Sequence, residues 1–391
     1  MKVNSGLEVF LDHLPSSITD KKVGLLANPA SVTSNLTHAK KLIQQKFRDN
    51  FKAIFSPQHG FHAEKQDNMI LSDHIKDREL NIPIFSLYHN SLKPSAKMLE
   101  EIDILLIDIQ DVGTRVYTFI YTISYCLEAA KEYNKKVIIL DRPNPLGGLK
   151  VEGNILEEEY SSFVGRYKIP MRHGMTCGEL AQFINIEYKI NADLEIIRMR
   201  NWKRSLFFKD TGLPWILPSP NLPIPESAYV YPGQVIFEGT NISEGRGTTR
   251  PFEFFGAPFI DQKKLKDFIN NKYPAKGVIL REIIFQPTSG KWQDISCTGF
   301  QIHIVDNKEY EPYFLSLSIL QGIIALFKKD FLWKEPPYEF EHKKMPIDLI
   351  LGSKKIRTAI EAGEDLYHIR ADWEKDLLTF KEKRSSYLLY K

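Results

Sequence analysis

The chain has 391 residues, 43% of them hydrophobic and 12% aromatic, enough for about two domains around a sizeable core. Its 52 basic and 49 acidic residues leave a net charge of +3, which excludes the basic footprint of a nucleic-acid or anionic-membrane binder. Cys126, Cys177 and Cys297 lie far apart without CxxC or Cys/His ligand spacing, which argues against a disulfide framework or a zinc site and fits a reducing compartment.

The first thirty residues hold no uninterrupted apolar segment and no small-residue cleavage site, so no signal peptide is expected. No apolar run approaches the roughly 18 residues of a membrane span. The expected location is the cytoplasm.

Strands are expected at Lys22–Ala27, Phe51–Ser56, Ile82–Leu87, Ile102–Ile109 and Lys136–Leu140. Several are short, continuous apolar runs, as suits strands covered on both faces of a parallel sheet. Helical patterns lie between them at Thr37–Phe47, Ser95–Glu101 and Tyr117–Tyr133. This alternation predicts an α/β fold, with a Rossmann-like, mostly parallel sheet over residues 1–150.

From Val151 the pattern changes. Helices are expected at Cys177–Tyr188, Gln262–Asn271, Tyr313–Lys328 and Leu366–Glu382, and strands at Leu194–Met199, Gly277–Ile284 and Gly299–Val305. Residues 151–391 therefore read as a smaller α/β domain carrying long loops. Thr176 is placed to cap a helix, with Glu179 at the capping-box position. Leu213–Pro232 holds six prolines and is expected to lack regular structure.

Polar residues follow the strands of the first half. Asn28 comes after the first, Gln58 and His59 after the second, Asp108, Gln110, Asp111 and Arg115 after the fourth, and Asp141, Arg142 and Asn144 after the fifth. Parallel strands would bring these groups to one sheet edge, where open α/β sheets bind ligands. Asp111 can act as an acid or pair with Arg115. His59 can be a general base, a sugar contact or a loop staple. Glu64 follows closely, and Lys65 reads as exposed. His173 precedes the Thr176 helix.

The densest polar segment is EGTNISEGRGTTRPFEFF, from Glu238 to Phe255. Its three glycines disfavour helix and strand by roughly 1 kcal/mol each. Glu238, Asn241, Glu244, Arg246 and Arg250 are its candidate ligand contacts, anchored by Phe252, Phe254 and Phe255. Walker A, G-x-G-x-x-G, G-x-S-x-G and H-E-x-x-H motifs are absent. No cofactor or metal is expected. The carboxylates, amides and arginines that remain suit carbohydrate recognition.

The runs DIQDVGTRVYTFIYT, LDRPNPLGG, VEGNIL, RHGMTCGELA, PSPNLP, YPGQVIFEGTNISEGRGTTRPFEFFGAPF and KRSSYLLY resemble the NamZ-type exo-β-N-acetylmuramidases. That resemblance spans nearly the whole chain. It implies a glycosidase releasing MurNAc from the non-reducing end of peptidoglycan fragments, with a small carbohydrate substrate in a cleft between two domains. It adds Asn221, of PSPNLP, to the expected substrate contacts. Members typically carry Pro-Glu-His-Gly where this chain has Pro57-Gln58-His59-Gly60, and that glutamate is the family's suspected catalytic residue. Glutamine cannot exchange a proton as a carboxyl does. Glu64 or Asp111 is therefore expected as the acid, with Glu238 or Glu244 supporting the sugar and Arg246 or Arg250 binding the lactyl carboxylate. The alternatives are a glycosidase of altered specificity and a non-catalytic amino-sugar binder.

Overall fold

The structure, a computed structural model, describes residues 2–67 and 69–391. Its largest element is a seven-stranded sheet formed by β1 (Val23–Ala27), β2 (Phe51–Ser56), β3 (Ile75–Lys76), β4 (Pro83–Ser86), β5 (Ile104–Asp108), β6 (Lys136–Leu140) and, further on, β9 (Leu194–Ile197). The order is β3-β4-β2-β1-β5-β6-β9, and every pairing is parallel except β3 with β4. Helices α1 (Gly6–Asp12), α2 (Ala39–Phe47), α3 (Ala96–Leu99), α4 (Phe119–Glu132) and α5 (Cys177–Glu187) accompany it. The Rossmann-like expectation holds. However, β9 and α5 come from beyond residue 150, so this layer runs past the boundary expected from sequence.

The strand sequences explain the burial. In β5, Ile104 and Leu106 join one apolar cluster, while Leu105 and Ile107 join another on the opposite face. The same alternation divides Ile138 and Leu140 from Val137 and Ile139 in β6. With both faces covered, a strand needs no polar alternation. The second of these clusters continues through α4 and α5 to Phe237, Phe252 and Phe255, so the two halves of the chain share one core.

A two-stranded ribbon, β7 (Glu152–Ile155) with β8 (Pro170–Arg172), links the halves. The second half contains α6 (Pro225–Gln234), an antiparallel sheet of β10 (Phe254–Ala257), β11 (Val278–Phe285) and β12 (Cys297–Ile304), and helices α7 (Gln262–Lys272), α8 (Pro312–Leu326), α9 (Pro346–Leu351), α10 (Lys354–Glu361) and α11 (Leu366–Ser385). The proline-rich tract is regular after all in its last part, since α6 starts on Pro225 at its first turn, where no amide hydrogen is needed. Pro232 and Gly233 lie inside this helix. A Cβ at Gly233 would stand 1.9 Å from the Pro312 carbonyl oxygen, so only glycine allows α6 to cross α8 this closely. Thr176 caps α5 and Glu179 completes the capping box as expected.

Candidate active site

Strand β2 delivers Gln58 and His59 to the sheet edge. His59 and Gly60 both adopt positive φ, +76° and +83°, which turns the chain sharply and leaves the imidazole beside a small cavity. Tyr117 and Thr118, just before α4, form a second wall. Ser219 and Asn221 form a third, and Tyr231, Glu238, Arg246, Phe252, Tyr338 and Glu339 complete the enclosure. The cavity thus draws on both halves of the chain, over their shared core.

One wall is an ion-pair ladder. The Arg246 guanidinium donates to Glu238 at 2.6 Å and meets Glu244 at 3.2 Å. Glu244 in turn accepts from the Lys291 ammonium at 2.8 Å, and that ammonium also donates to the Phe237 and Ile242 carbonyls at 2.6 and 3.0 Å. Tyr338 donates to the other Glu238 oxygen at 2.7 Å. Burial alone would raise the Glu238 pKa, but Arg246, Tyr338 and Lys291 outweigh it and hold the carboxyl below its ordinary range. Glu238 is therefore ionised. Arg246 lines the cavity, its buried Nη1 has no hydrogen-bond partner among the described residues, and its guanidinium carbon lies 5.1 Å from the Phe252 ring centre. Phe252 itself has φ +63°, unusual for a bulky residue and a mark of local strain at this wall.

Facing this ladder is a carboxyl that sequence reasoning missed. Glu339 is buried, accepts from the Gln58 amide at 3.1 Å and accepts from the Tyr88 hydroxyl at 2.6 Å. Thr118 donates to the Gln58 carbonyl oxygen at 2.8 Å, fixing which end of the amide meets Glu339. Burial pushes the Glu339 pKa up, the two hydrogen bonds oppose that shift, and the neighbouring charge of Glu238 reinforces it; the net direction is upward. The site therefore holds two carboxyl groups displaced in opposite directions.

His59 Nδ1 lies 2.8 Å from the Lys65 carbonyl and must carry the hydrogen there, which leaves Nε2 as a bare acceptor. Burial lowers its pKa to about 4, so the ring is neutral at ordinary pH. It cannot serve as a proton donor at neutral pH.

Five of the expected residues line this cavity: Gln58, His59, Asn221, Glu238 and Arg246. Glu244 stands one step behind, through Arg246. The strand-end cluster does converge, but its members satisfy one another. Arg142 pairs with Asp108, reaching it at 2.8 Å, and also donates to the Val32 carbonyl. Asn28 donates to the Gln110 carbonyl, and Gln110 to the Asp111 and Pro143 carbonyls. Asp141 accepts from Thr176, Gly178 and Tyr390, and Asn144 joins Met175 to Leu146. These contacts knit the sheet edge and leave the cavity untouched.

The remaining expected residues lie away from this cavity. Glu64 is exposed, accepts from the His62 amide and does not line the cavity. Asp111 is buried behind the wall, accepts from Gly113 at 2.7 Å and lies 4.0 Å from His173. His173 is equally buried, and burial takes its pKa down to about 3. Neither lines the cavity. Arg115 pairs with no carboxylate; its guanidinium donates to the carbonyls of Asn154, Ile169, Ile350 and Leu351. Asn241 is bound to Asp330 and Leu332, and Arg250 is turned to Glu253 at 3.4 Å. Glu339 belongs to the segment PPYEFE, whose acid and aromatic residues after a proline pair were the available signal.

Family models described as the N-terminal and C-terminal parts of exo-beta-N-acetylmuramidase NamZ match residues 23–226 and 229–390. The peptidoglycan beta-N-acetylmuramidase NamZ of Bacillus subtilis (strain 168) is 43% identical over 389 residues, covering 100% of this chain and 92% of the relative. Crystal structures of two DUF1343 family proteins from Bacteroides fragilis each cover 100% of this chain and 99% of their own. They have TM-scores of 0.89 and 0.76 at 34% and 30% identity. Both matched parts adjoin the cavity, and together they span most of the sequence: the chain belongs to the exo-β-N-acetylmuramidase NamZ family.

Proposed function

We propose that this protein is a glycosidase that removes MurNAc from the non-reducing end of peptidoglycan fragments, with Glu339 as proton donor. The observation that carries this reading is the opposite displacement of Glu339 and Glu238 across one cavity. Two carboxyls driven apart in pKa is the arrangement that acid catalysis at a glycosidic bond requires. Glu339, whose pKa burial raises, donates its proton to the glycosidic oxygen as the bond to the anomeric carbon breaks, and water adds to that carbon and returns a proton to the Glu339 carboxylate. Ionised Glu238 stabilises the positive charge that develops on the sugar ring. Arg246, which lines the cavity, binds the lactyl carboxylate, the group that distinguishes MurNAc from other amino sugars.

On this reading Gln58 does not remove the acid from the site. It positions a different one, through the hydrogen bond it donates. Action on internalised fragments in the cytoplasm, as in cell-wall recycling, rests on the three unpaired cysteines, all buried. No described helix is long and apolar enough to cross a membrane.

The test uses a chromogenic β-MurNAc glycoside and a MurNAc–GlcNAc disaccharide. The native protein is expected to hydrolyse both. Glu339→Gln is expected to lose about 100-fold or more on the disaccharide, whose sugar leaving group needs a proton, and much less on the activated aryl glycoside. Equal losses on both would remove Glu339 from the donor role.

A further inference from the structure

Glu339 is held from two sides by unequal hydrogen bonds. The Tyr88 hydroxyl donates to Oε2 at 2.6 Å, whereas the Gln58 amide donates to Oε1 at 3.1 Å. Gln58 lines the cavity and Tyr88 does not. We propose that Tyr88 is a positioning residue for the reaction: it keeps the acidic proton of Glu339 on Oε1, the oxygen that meets Gln58, and tightens its own bond to Oε2 as that proton leaves. This rests on the reading of Glu339 as proton donor.

In a neutral carboxyl group one oxygen carries the proton and the other is the better acceptor. The shorter bond marks Oε2 as that acceptor, which leaves the proton on Oε1. The Met69 backbone amide also faces the Tyr88 oxygen as a donor, so the phenol hydrogen is left for Glu339. Burial, and then the Glu339 charge, raise the Tyr88 pKa, so the phenol keeps that hydrogen throughout turnover. When Glu339 gives its proton to the glycosidic oxygen it becomes a carboxylate, and a hydrogen bond to an ionised acceptor is roughly twice as strong as one to a neutral acceptor. Tyr88 therefore favours the transition state over the ground state. When water adds to the anomeric carbon, its proton returns to Oε1 and the starting arrangement is restored.

The phenol is fixed in place for this task. Tyr88 follows β4 and is buried, with its ring centre 5.4 Å from that of Phe163 and 5.3 Å from that of Phe340, the residue next to Glu339. Its amide donates to the Ser86 hydroxyl at 3.1 Å, and its carbonyl accepts from the Ser72 amide at 3.0 Å. The charges acting on Glu339 come from the ladder opposite: Glu238 opposes its ionisation and Arg246 favours it. Tyr231 and Tyr338, also close by, are held neutral by burial. None of these groups takes over the bond to Oε2.

The test compares the native protein with Tyr88→Phe, which deletes one hydroxyl, in kcat and KM against pH on the MurNAc–GlcNAc disaccharide and the chromogenic β-MurNAc glycoside. The Tyr88 bond lowers the Glu339 pKa, so its loss raises that pKa and should move the alkaline limb to higher pH. On the disaccharide kcat is expected to fall by about tenfold or more with little change in KM, and on the aryl glycoside by much less. Difluorotyrosine in place of Tyr88, a stronger donor of nearly the same shape, should move the limb to lower pH, and it decides the matter should Tyr88→Phe not fold. Added to Glu339→Gln, Tyr88→Phe should cost nothing further. Alkaline limbs unmoved by either change, or equal losses on the two substrates, would overturn the role of Tyr88 while Glu339→Gln keeps its own loss. Native turnover by Glu339→Gln, or no hydrolysis by the native protein, would overturn the donor assignment and the Tyr88 role with it.

Discussion

Gln58 and Glu339, 281 residues apart in sequence, meet through one hydrogen bond of 3.1 Å inside the cavity. The amide donates, so it offers Glu339 a neutral partner where a carboxylate would repel it. Replacing Gln58 by Glu would set two carboxyls side by side, and both cannot ionise readily. Because Glu339 already lies above its ordinary pKa, its proton is lost on the alkaline side of the activity profile. Gln58→Glu is therefore expected to shift that limb to higher pH, measured as kcat/KM against pH. Identical alkaline limbs would show that position 58 does not control Glu339.

On the proposed mechanism the acid limb belongs to Glu238. Its pKa is lowered by the ladder, so activity should fall only when pH drops far enough to protonate it. Lys291 contributes through its own positive charge near Glu238. Lys291→Met should weaken the ladder and move the acid limb to higher pH, while Lys291→Arg should restore much of it. Those profiles separate electrostatic support from simple misfolding, which would lower the rate at every pH.

How much of this was legible in the sequence depends on where the information sits. Strands β2 and β6 were read with their observed ends because continuous apolar runs such as KVIIL signal double-sided burial locally. Gln58, His59, Glu238 and Arg246 were singled out because glycine or proline near each marks a turn, and all four line the cavity. Glu339 was not, because its importance comes from a contact made across the whole chain, and PPYEFE read alone resembles surface. The polar groups after the strands do meet at one sheet edge, where most of them bond to one another. Opposite charges brought together at a buried edge pair with each other, as Asp108 and Arg142 do, unless a cavity separates them.

Asp111 offers a test of that distinction through stability. Burial raises its pKa from the ordinary 3.8 to about 7. Below about pH 4 both folded and unfolded chains hold the proton, and the group has no effect. Between the two values the unfolded chain ionises first, so stability falls as pH rises, by up to about 1.4 kcal/mol per pH unit. Asp111→Asn should therefore stabilise the protein in urea denaturation at pH 8, with little gain at pH 4. Its turnover should persist, because Asp111 does not line the cavity.

Arg115 is expected to matter for folding. It gathers carbonyls from Asn154 and Ile169 near the linking ribbon and from Ile350 and Leu351 at the end of α9. Arg115→Met would leave these buried acceptors without their donor, at a cost of about 4 kcal/mol. The denaturant midpoint measures this loss, and a shift below about 1 kcal/mol would contradict the assigned role.

The most direct measurement is the pH profile of kcat/KM for the native protein and Glu339→Gln on the MurNAc–GlcNAc disaccharide. The native profile should be a bell bounded by Glu238 on the acid side and Glu339 on the alkaline side. The variant should lose about 100-fold or more, together with the Glu339-dependent limb. A variant with native turnover and an unaltered alkaline limb would contradict the assignment of Glu339 as the proton donor.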